Sequence, residues 1–386
     1  SCPFCSAKRA SQRDQLEKLR VAFPSLPLTF IPLFPFEVKG EDRLSLLAEA
    51  MREGFHFSEE KIGPPPKALE IAPVTISRPR PEVRILLFGG KGGVGKTSLA
   101  CAFALQLSLL YPEKKILLFS TDPAHSLADS LGQEVGDTPR VVDGRENLFA
   151  LEMDPEERFE QFKRAYAGEV REIFEGLTRH SQLEVPFDQE VLTRLLDLTP
   201  PGLDEIMILL EILNLMKTGE YDLYILDTAP TGHLLRFLEL PDLMQEWLRT
   251  FFEMILKYRS VTGLPKTSAL LVQMSKDLKE IRKHLSDPER CEFIPVAIPT
   301  VMAFKETRRL LLGLDKLSIP YRRLMLNLVV PSSSECEKCS ALRVAEEEVI
   351  SLFREEFPSL EIVTLLSLFQ ELRGIKTLSR LFQFSD

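Results

Sequence analysis

The sequence lacks an excess of positive charge. Its 386 residues contain 48 lysines and arginines against 57 aspartates and glutamates, which gives a formal net charge of -9 at pH 7. Proteins that bind nucleic-acid backbones normally concentrate basic residues on one face. The composition therefore predicts that nucleic acid is not a partner.

Long hydrophobic runs are also missing. A transmembrane helix needs roughly 18 to 20 consecutive apolar residues, and even the apolar stretch 206–216 is interrupted by Glu211. No secretory signal pattern is recognisable. With 44% hydrophobic residues, the chain can bury the core of a large α/β domain. We expect a cytoplasmic protein that reaches a membrane only through a partner.

Cysteine and histidine are scarce, with six and five residues respectively. Four cysteines form two Cys-x-x-Cys pairs, Cys2/Cys5 and Cys336/Cys339, which suit metal binding in a reducing compartment better than a disulfide framework. Each pair supplies half of a tetrahedral zinc site, and we predict that the two pairs share one zinc ion, with redox-active or idle thiols as alternatives. Two further cysteines are predicted to pack in apolar surroundings, namely Cys101 and Cys291.

Residues 89–97 have the pattern of a phosphate-binding loop, Gly-Gly-Lys-Gly-Gly-Val-Gly-Lys-Thr. A buried-strand pattern precedes the loop at 84–88 and an apolar helix pattern follows it at 98–110, which argues against a chance glycine-rich turn. Backbone N–H groups of such a loop surround the β- and γ-phosphates of a nucleotide. The predicted contacts are Gly90, Gly92, Gly93, Val94, Gly95, Lys96, Thr97 and Ser98.

Two lysines and a threonine of this loop have separate predicted roles. Lys96 is placed to act as a point charge on the phosphate oxygens during ATP hydrolysis, and Thr97 to ligate magnesium. Lys91 comes too early in the loop for the first role and is better suited to reach the nucleotide of another subunit. The loop therefore predicts an ATP-hydrolysing enzyme that works as a dimer.

A polar loop at 120–126, Ser-Thr-Asp-Pro-Ala-His-Ser, follows the strand pattern at 116–119. Open α/β sheets form their sites at the carboxyl ends of strands. We assign Asp122 to orient or deprotonate the attacking water, with a helix N-cap role as the alternative. His125 is interpreted as a neighbouring hydrogen-bonding residue rather than a catalyst.

A second strand pattern at 223–226 ends in Asp227, within the segment Asp-Thr-Ala-Pro-Thr-Gly-His. An aspartate at this place is predicted to hold magnesium, through water. Gly232 is able to bring its backbone N–H close to the terminal phosphate, so this loop is expected to distinguish ATP from ADP.

A third strand pattern, 324–330, ends at Pro331. Asn327 in this strand offers both a donor and an acceptor to adenine, and we include Asn327 and Pro331 among the nucleotide contacts. The alternative for Asn327 is a hydrogen bond that closes the strand edge.

The two ends of the chain repeat each other at an offset of 334 residues. Beyond the cysteine pairs, Phe-Pro-Ser-Leu occurs at both 23–26 and 357–360. We interpret residues 1–52 as the C-terminal remnant of an upstream module, 53–81 as a proline-rich linker and 82–386 as a second module. The partner of this module is then the upstream module in a pseudo-dimer, with a homodimer as the alternative.

Together, these motifs closely resemble the ArsA and guided-entry family of deviant-loop ATPases, from about Glu82 onwards. The resemblance implies a P-loop NTPase of the α/β class, with a mostly parallel twisted sheet flanked by helices and a helical cap at about 155–217 and 242–285. It also implies nucleotide at a dimer interface, with Lys91 reaching the facing site, Asp122 activating water and Asn327 on adenine.

Two positions depart from the family pattern. Leu234 follows the Gly-His of the second loop, where the family has threonine. The Pro-Leu pair that helps to frame adenine is present at 32–33 but is replaced by Leu366-Ser367 in the second module. Adenine packing in this module is therefore expected to depart from the family pattern.

The resemblance implies two functions of different classes. The tandem architecture favours an ArsA-type motor that exports arsenite or antimonite through a membrane-embedded efflux partner, and we take this as the expected function. Against it, no thiolate cluster is evident outside the Cys-x-x-Cys pairs. The alternative is a zinc-clamped chaperone that targets tail-anchored membrane proteins to an insertase. Cap helices rich in methionine and phenylalanine favour it, although an ordinary amphipathic core face also accounts for them.

Overall fold

A computed structural model of the protein describes residues 2–31, 34, 36–53, 73–120, 126–153, 203–228, 238–239, 242, 265–332, 336–368 and 372–385. Within these ranges the strands are β1 (Val74–Ile76), β2 (Ile85–Gly90), β3 (Ile116–Ser120), β4 (Arg140–Val142), β5 (Arg145–Glu152), β6 (Leu223–Asp227), β7 (Cys291–Ala297), β8 (Arg323–Val329), β9 (Glu361–Leu366) and β10 (Phe382–Phe384). The helices there are α1 (Pro3–Ala22), α2 (Glu41–Glu53), α3 (Lys96–Leu110), α4 (Ser126–Leu131), α5 (Leu203–Thr218), α6 (Pro265–Leu285), α7 (Val301–Lys316), α8 (Glu337–Glu356) and α9 (Ile375–Leu378).

Eight strands form one sheet in the order β4-β5-β3-β6-β2-β7-β8-β9. The neighbours pair in parallel except for β4 and β5, which are antiparallel. Every residue of β2, β3, β6 and β7 is buried, as expected of a parallel sheet covered on both faces. The predicted α/β fold, with a mostly parallel sheet flanked by helices, is confirmed.

Helices cover the sheet from two sides. One apolar core contains α3 together with buried residues of α4, α9 and β10, and a second contains buried residues of α5, α6 and α7. Helix α3 is apolar around most of its circumference, which suits a helix enclosed by the sheet and its neighbours. This burial fixes the position of the helix that begins at Lys96.

The interval predicted as a linker, 53–81, contains a strand. Residues Val74–Ile76 form β1, which pairs in parallel with β10, and Ile76 is 1% exposed. Three residues are too few to give a strand periodicity among the surrounding prolines, so the sequence pattern did not show it. Strand β10, near the C-terminus, therefore pairs with a strand from within the proline-rich interval.

The repeated ends of the chain have matching local structure. Helices α1 and α8 both contain 20 residues, begin after a cysteine and are followed by a phenylalanine with nearly the same φ, -128° at Phe23 and -126° at Phe357. Gly40 and Gly374 both have φ of +84°. The two copies differ in burial: Leu19, Ile31 and Leu44 are 44%, 46% and 53% exposed, whereas their counterparts Phe353, Leu365 and Leu378 are 0%, 2% and 0% exposed.

The predicted cap intervals are represented among the described residues by α5 and α6. Both helices bury apolar residues in the same core, and Lys217 Nζ of α5 lies 2.6 Å from Asp277 Oδ1 of α6. The rest of the two cap intervals lies outside the described residues. Among the helices that the structure describes, none combines the length and hydropathy that a membrane-spanning segment requires.

A buried ion pair holds the amino ends of β7 and β8 together. Arg323 Nε donates to Glu292 Oε1 at 2.6 Å, and both side chains are 2% exposed. Arg323 Nη1 also donates to the carbonyl oxygen of Ser77, just beyond β1. The guanidinium therefore ties the interval around β1 to the main sheet, at the edge opposite the glycine-rich loop.

Replacing Glu292 by alanine is expected to lower the free energy of unfolding by about 3 to 5 kcal/mol, because it leaves the Arg323 charge buried without its partner. Urea denaturation measures this change. The matched control is Glu356→Ala, which breaks an exposed pair with Arg308 at 2.7 Å and is expected to cost less than about 1 kcal/mol. Equal losses in the two variants would show that the buried pair does not hold the sheet.

Candidate nucleotide site

The glycine-rich loop connects the carboxyl end of β2 to the start of α3. Gly93 and Gly95 have φ of +77° and +92°, in the left-handed region that glycine adopts without a Cβ penalty. A Cβ at Gly90 would overlap the carbonyl oxygen of Val296, and a Cβ at Gly95 would overlap the side-chain amide of Asn327. Backbone contact therefore requires glycine at position 90, and the left-handed dihedral angle favours it at position 95.

The two lysines of the loop lie in different environments. Lys96 is 6% exposed, and its Nζ donates to the Lys91 carbonyl oxygen across the loop at 3.2 Å. Lys91 contacts helix α7, with its Nζ 3.4 Å from Glu306 Oε1 and 3.3 Å from Met302 Sδ. Lys96 is thus held within the loop, whereas the Lys91 side chain is 39% exposed. The reach of Lys91 to a facing site stays a prediction.

Thr97 and Asp227 meet at the base of the loop. Thr97 Oγ1 donates to Asp227 Oδ2 at 2.6 Å, and Asp227 is fully buried at the end of β6. Strand β6 lies next to β2 in parallel, which brings the two carboxyl ends together. Magnesium prefers oxygen ligands such as a hydroxyl and a carboxylate. The side chains of Thr97 and Asp227 therefore fit the ion.

Three of the predicted site residues, Asp122, His125 and Gly232, lie outside the described residues, and their roles stay predictions. The strand before Asp122 is described up to Ser120, which pairs in register with Asp227 on one side and Glu152 on the other. The last described residue before Asp122 therefore lies next to Asp227 at the end of β6.

Glu152 and Thr228 are two residues of this edge that the sequence analysis did not single out. Glu152 Oε1 accepts a hydrogen bond from the Leu127 N–H at 2.9 Å, so it holds the start of α4. Thr228 Oγ1 donates to the Phe88 carbonyl oxygen at 2.7 Å, which ties the segment after Asp227 to β2. Glu152 could have been recognised in the sequence as an acidic residue at the end of an apolar strand pattern.

Asn327 is aimed at the loop by a bulge in β8. The register between β8 and β9 shifts between Leu326 and Val329, and Leu328 has φ of +61°, in the left-handed region that is rare for a residue with a side chain. Bulges of this kind redirect side chains. Asn327 is 2% exposed, and its Nδ2 donates to the Val94 carbonyl oxygen at 2.9 Å. The structure thus brings Asn327 to the loop; the adenine contact stays a prediction.

The four cysteines of the two Cys-x-x-Cys pairs meet in space. Their sulfur atoms all lie within 4.8 Å of one another, and three of the Sγ–Sγ distances are 3.4, 3.6 and 3.9 Å. A tetrahedral zinc with Zn–S bonds of about 2.3 Å has sulfurs about 3.8 Å apart. The side chains present therefore fit the predicted structural zinc ion.

The protonation of the cluster also suits a metal. Burial opposes ionisation of Cys2, but hydrogen bonds from the Cys5 backbone and the neighbouring thiols outweigh it and lower the pKa of Cys2 to about 6. Burial raises the pKa of Cys5 and of Cys339. A divalent cation is the species that would stabilise all four sulfurs as thiolates.

A glycine-rich loop between a parallel strand and a helix, at the carboxyl edge of the sheet, is the structure that binds nucleotide phosphates. The fold and the site therefore define the class of the P-loop nucleoside triphosphatases. Comparison with known proteins narrows this class. The anion-transporting ATPase family matches residues 83–385, and the chain belongs to this family. The family resemblance seen in the motifs is confirmed.

Relatives from three organisms match most of the chain. ATPase GET3B of Arabidopsis thaliana is 35% identical over 315 residues, which covers 76% of this chain and 76% of that protein. ATPase GET3 of Podospora anserina is 32% identical over 314 residues, covering 77% and 89%. A Dictyostelium discoideum protein named ATPase ASNA1 homolog is 30% identical over 311 residues, covering 77% and 88%.

Cobalt(II), a spectroscopic substitute for zinc, is expected to bind the metal-free protein with one ion per chain and an absorption spectrum of tetrahedral thiolate ligation. Cys339→Ser is expected to weaken this binding by more than about tenfold because it removes a buried ligand. Cys291→Ser, which changes a thiol buried in β7, serves as the control and should bind as the unchanged protein does. Equal cobalt binding by both variants would contradict a four-cysteine site.

Proposed function

We propose that the protein is an ATP-driven targeting factor of the guided-entry type, which captures an apolar helix of a membrane-protein client and passes it to a membrane insertase. The observation that carries this proposal is the similarity to ATPases named GET3 over more than three quarters of the chain. ATPase chemistry is common to the family. The cargo is what distinguishes this proposal from metalloid export.

Each loop residue has a proposed task in ATP hydrolysis. The N–H groups around Gly93 and Gly95 and the Lys96 ammonium bind the β- and γ-phosphates. Thr97 and Asp227 would hold magnesium, which when bound would neutralise part of the charge of the phosphates. Their hydrogen bond at 2.6 Å supports this pairing.

Residues around the phosphate loop complete the proposed site. Asp122 orients the attacking water and accepts its proton, and Gly232 responds to the γ-phosphate through its backbone N–H. Asn327 and Pro331 contact the adenine base of the nucleotide. Lys91 contributes a positive charge to the nucleotide of the facing module, where charge develops as the terminal phosphate is transferred.

The proposed architecture is a pair of modules clamped by zinc. Residues 1–52 are, in this proposal, the C-terminal part of an upstream module. Supporting it, α1 reproduces α8, yet Leu19 and Leu44 are exposed where their counterparts are buried against the sheet. Exposed apolar residues of this kind mark a surface that a partner covers. The upstream module then forms a pseudo-dimer with residues 82–386, or two chains form a homodimer.

Arsenite export, the function expected from the tandem architecture, has less support. All six cysteines lie among the described residues, and the four-cysteine cluster is the group of metal-binding side chains found there. Burial raises the pKa of Cys101 and of Cys291, so neither offers a thiolate to a soft metalloid. The relatives named GET3 likewise favour targeting over export.

The proposed site of action is the cytoplasmic face of a membrane, where an insertase receives the client. Leu215 and Met216, two large apolar residues of the predicted cap, pack partly against the core. Four others, Trp247, Phe251, Phe252 and Met254, lie outside the described residues. The client groove is therefore inferred from family membership and the zinc-clamped architecture.

Steady-state release of phosphate from ATP, titrated with a detergent-masked transmembrane-helix peptide and separately with arsenite, tests this proposal. The peptide is expected to form a stable complex and to change turnover severalfold, since a ligand that prefers one arrangement of the two modules shifts the protein towards that arrangement. Arsenite is expected to leave turnover unchanged. Stimulation by arsenite alone would contradict the targeting function and favour the export motor.

Lys91→Ala is the control for this measurement. It is expected to bind nucleotide nearly as well as the unchanged protein but to hydrolyse it at least about a hundredfold more slowly, as when a cationic group that acts in phosphoryl transfer is removed. Full turnover by this variant would remove the proposed role of Lys91 without affecting the cargo assignment.

A further inference from the structure

The four-cysteine cluster is in direct contact with the strand that carries Asn327. Val330, which follows β8, forms a small buried apolar cluster with Phe4 of α1 and Cys339 of α8. These three residues are 7%, 5% and 1% exposed. The side chains that surround this contact are Cys2, Cys5, Cys336 and Leu342. The predicted zinc ligands therefore pack on the end of β8.

Glu346 of α8 holds the same point of the chain by a hydrogen bond. Its Oε2 accepts from the Val330 N–H at 2.9 Å. Burial raises the pKa of Glu346, while the Val330 N–H and the Lys8 ammonium oppose this. On the other side, the Ser367 N–H donates to the Val329 carbonyl oxygen at 2.7 Å. Val329 and Val330 are thus fixed by α8 and by the end of β9.

The segment from Val330 back to Asn327 is short and conformationally restricted. It contains the bulge and the left-handed Leu328, a backbone conformation that persists in a residue with a side chain only where the surroundings hold it. At its far end Asn327 contacts the loop at Val94 and leaves no room for a Cβ at Gly95. A displacement of Val330 therefore moves Asn327 and Pro331 together.

We propose that Glu346 is a positioning residue for the adenine end of the nucleotide site, and that metal binding to the four cysteines sets its position. The inference rests on the proposed nucleotide and zinc sites. With metal bound, α1 and α8 are drawn together at Cys339, and Glu346 holds Val330 where Asn327 and Pro331 meet the base. Because coupling between two binding sites is reciprocal, ATP must strengthen metal binding by the same factor.

The first test compares ATP affinity in the zinc-loaded and zinc-free protein by equilibrium titration. Zinc is expected to tighten ATP binding by at least about fivefold, the lower end of the usual range for coupled sites. Tripolyphosphate, which has no base, is the matched probe, and its affinity should be the same in both forms. Zinc affinity, measured by competition with a chelator, should rise by the same factor when ATP is present.

The second test uses variants of α8. Glu346→Ala is expected to raise the KM for ATP at least about fivefold with kcat unchanged, and to remove the effect of zinc on ATP affinity. Glu346→Gln keeps an acceptor oxygen and should retain most of that effect. Glu347→Ala, one residue along the helix in an exposed pair with Arg354, is the control and should behave as the unchanged protein does.

The outcomes separate this inference from the proposed function. If ATP and zinc both bind with affinities that do not depend on each other, the positioning role is wrong while the proposed function stands. If zinc strengthens ATP and tripolyphosphate equally, the coupling acts on the phosphate loop as a whole and the role of Glu346 at the base is wrong. If either ATP or zinc fails to bind, the proposed function itself is contradicted, and this inference with it.

Discussion

Close packing of the phosphate loop against its two neighbouring strands is the constraint on which the rest of the site depends. The backbone at Gly90 lies too near the Val296 carbonyl for a side chain to fit, and Gly95, with φ of +92°, faces the Asn327 side-chain amide. This contact fixes the start of α3, so Thr97 reaches Asp227 at the end of β6. It also places Asn327 at the loop. The predicted phosphate, magnesium and adenine contacts thus all depend on this packing.

The parts of this arrangement that depend on local pattern could be predicted from the sequence. Continuous apolar runs at β2, β3 and β6 indicated buried parallel strands, and each was followed by a glycine or carboxylate motif. Because parallel strands end at the same edge of a sheet, Thr97 and Asp227 could be expected to meet. The exact repeat of the cysteine pairs likewise predicted that four thiols would share one site.

The parts that depend on long-range contact could not be predicted. Strand β1 forms because β10, far along the chain, pairs with it. Its three residues show no local pattern that would predict this pairing. The bulge that turns Asn327 towards the loop requires one extra residue in β8 relative to β9. The contact of Lys91 with Glu306 on α7 also depends on how β7 and α7 pack. No sequence motif predicts that packing.

Binding of ATP to Gly95→Ala is the measurement that most directly tests this account. In this variant an alanine must adopt an unfavourable dihedral angle, and its Cβ overlaps the Asn327 side chain. We predict that the variant folds but loses ATP affinity by at least about a hundredfold, because the loop no longer fits the phosphates. Gly144→Ala has a similar left-handed angle, φ of +69°, with nothing within 4 Å of the added Cβ, and should bind ATP as the unchanged protein does. Wild-type ATP affinity in Gly95→Ala would contradict the central claim that this packed loop is the nucleotide site.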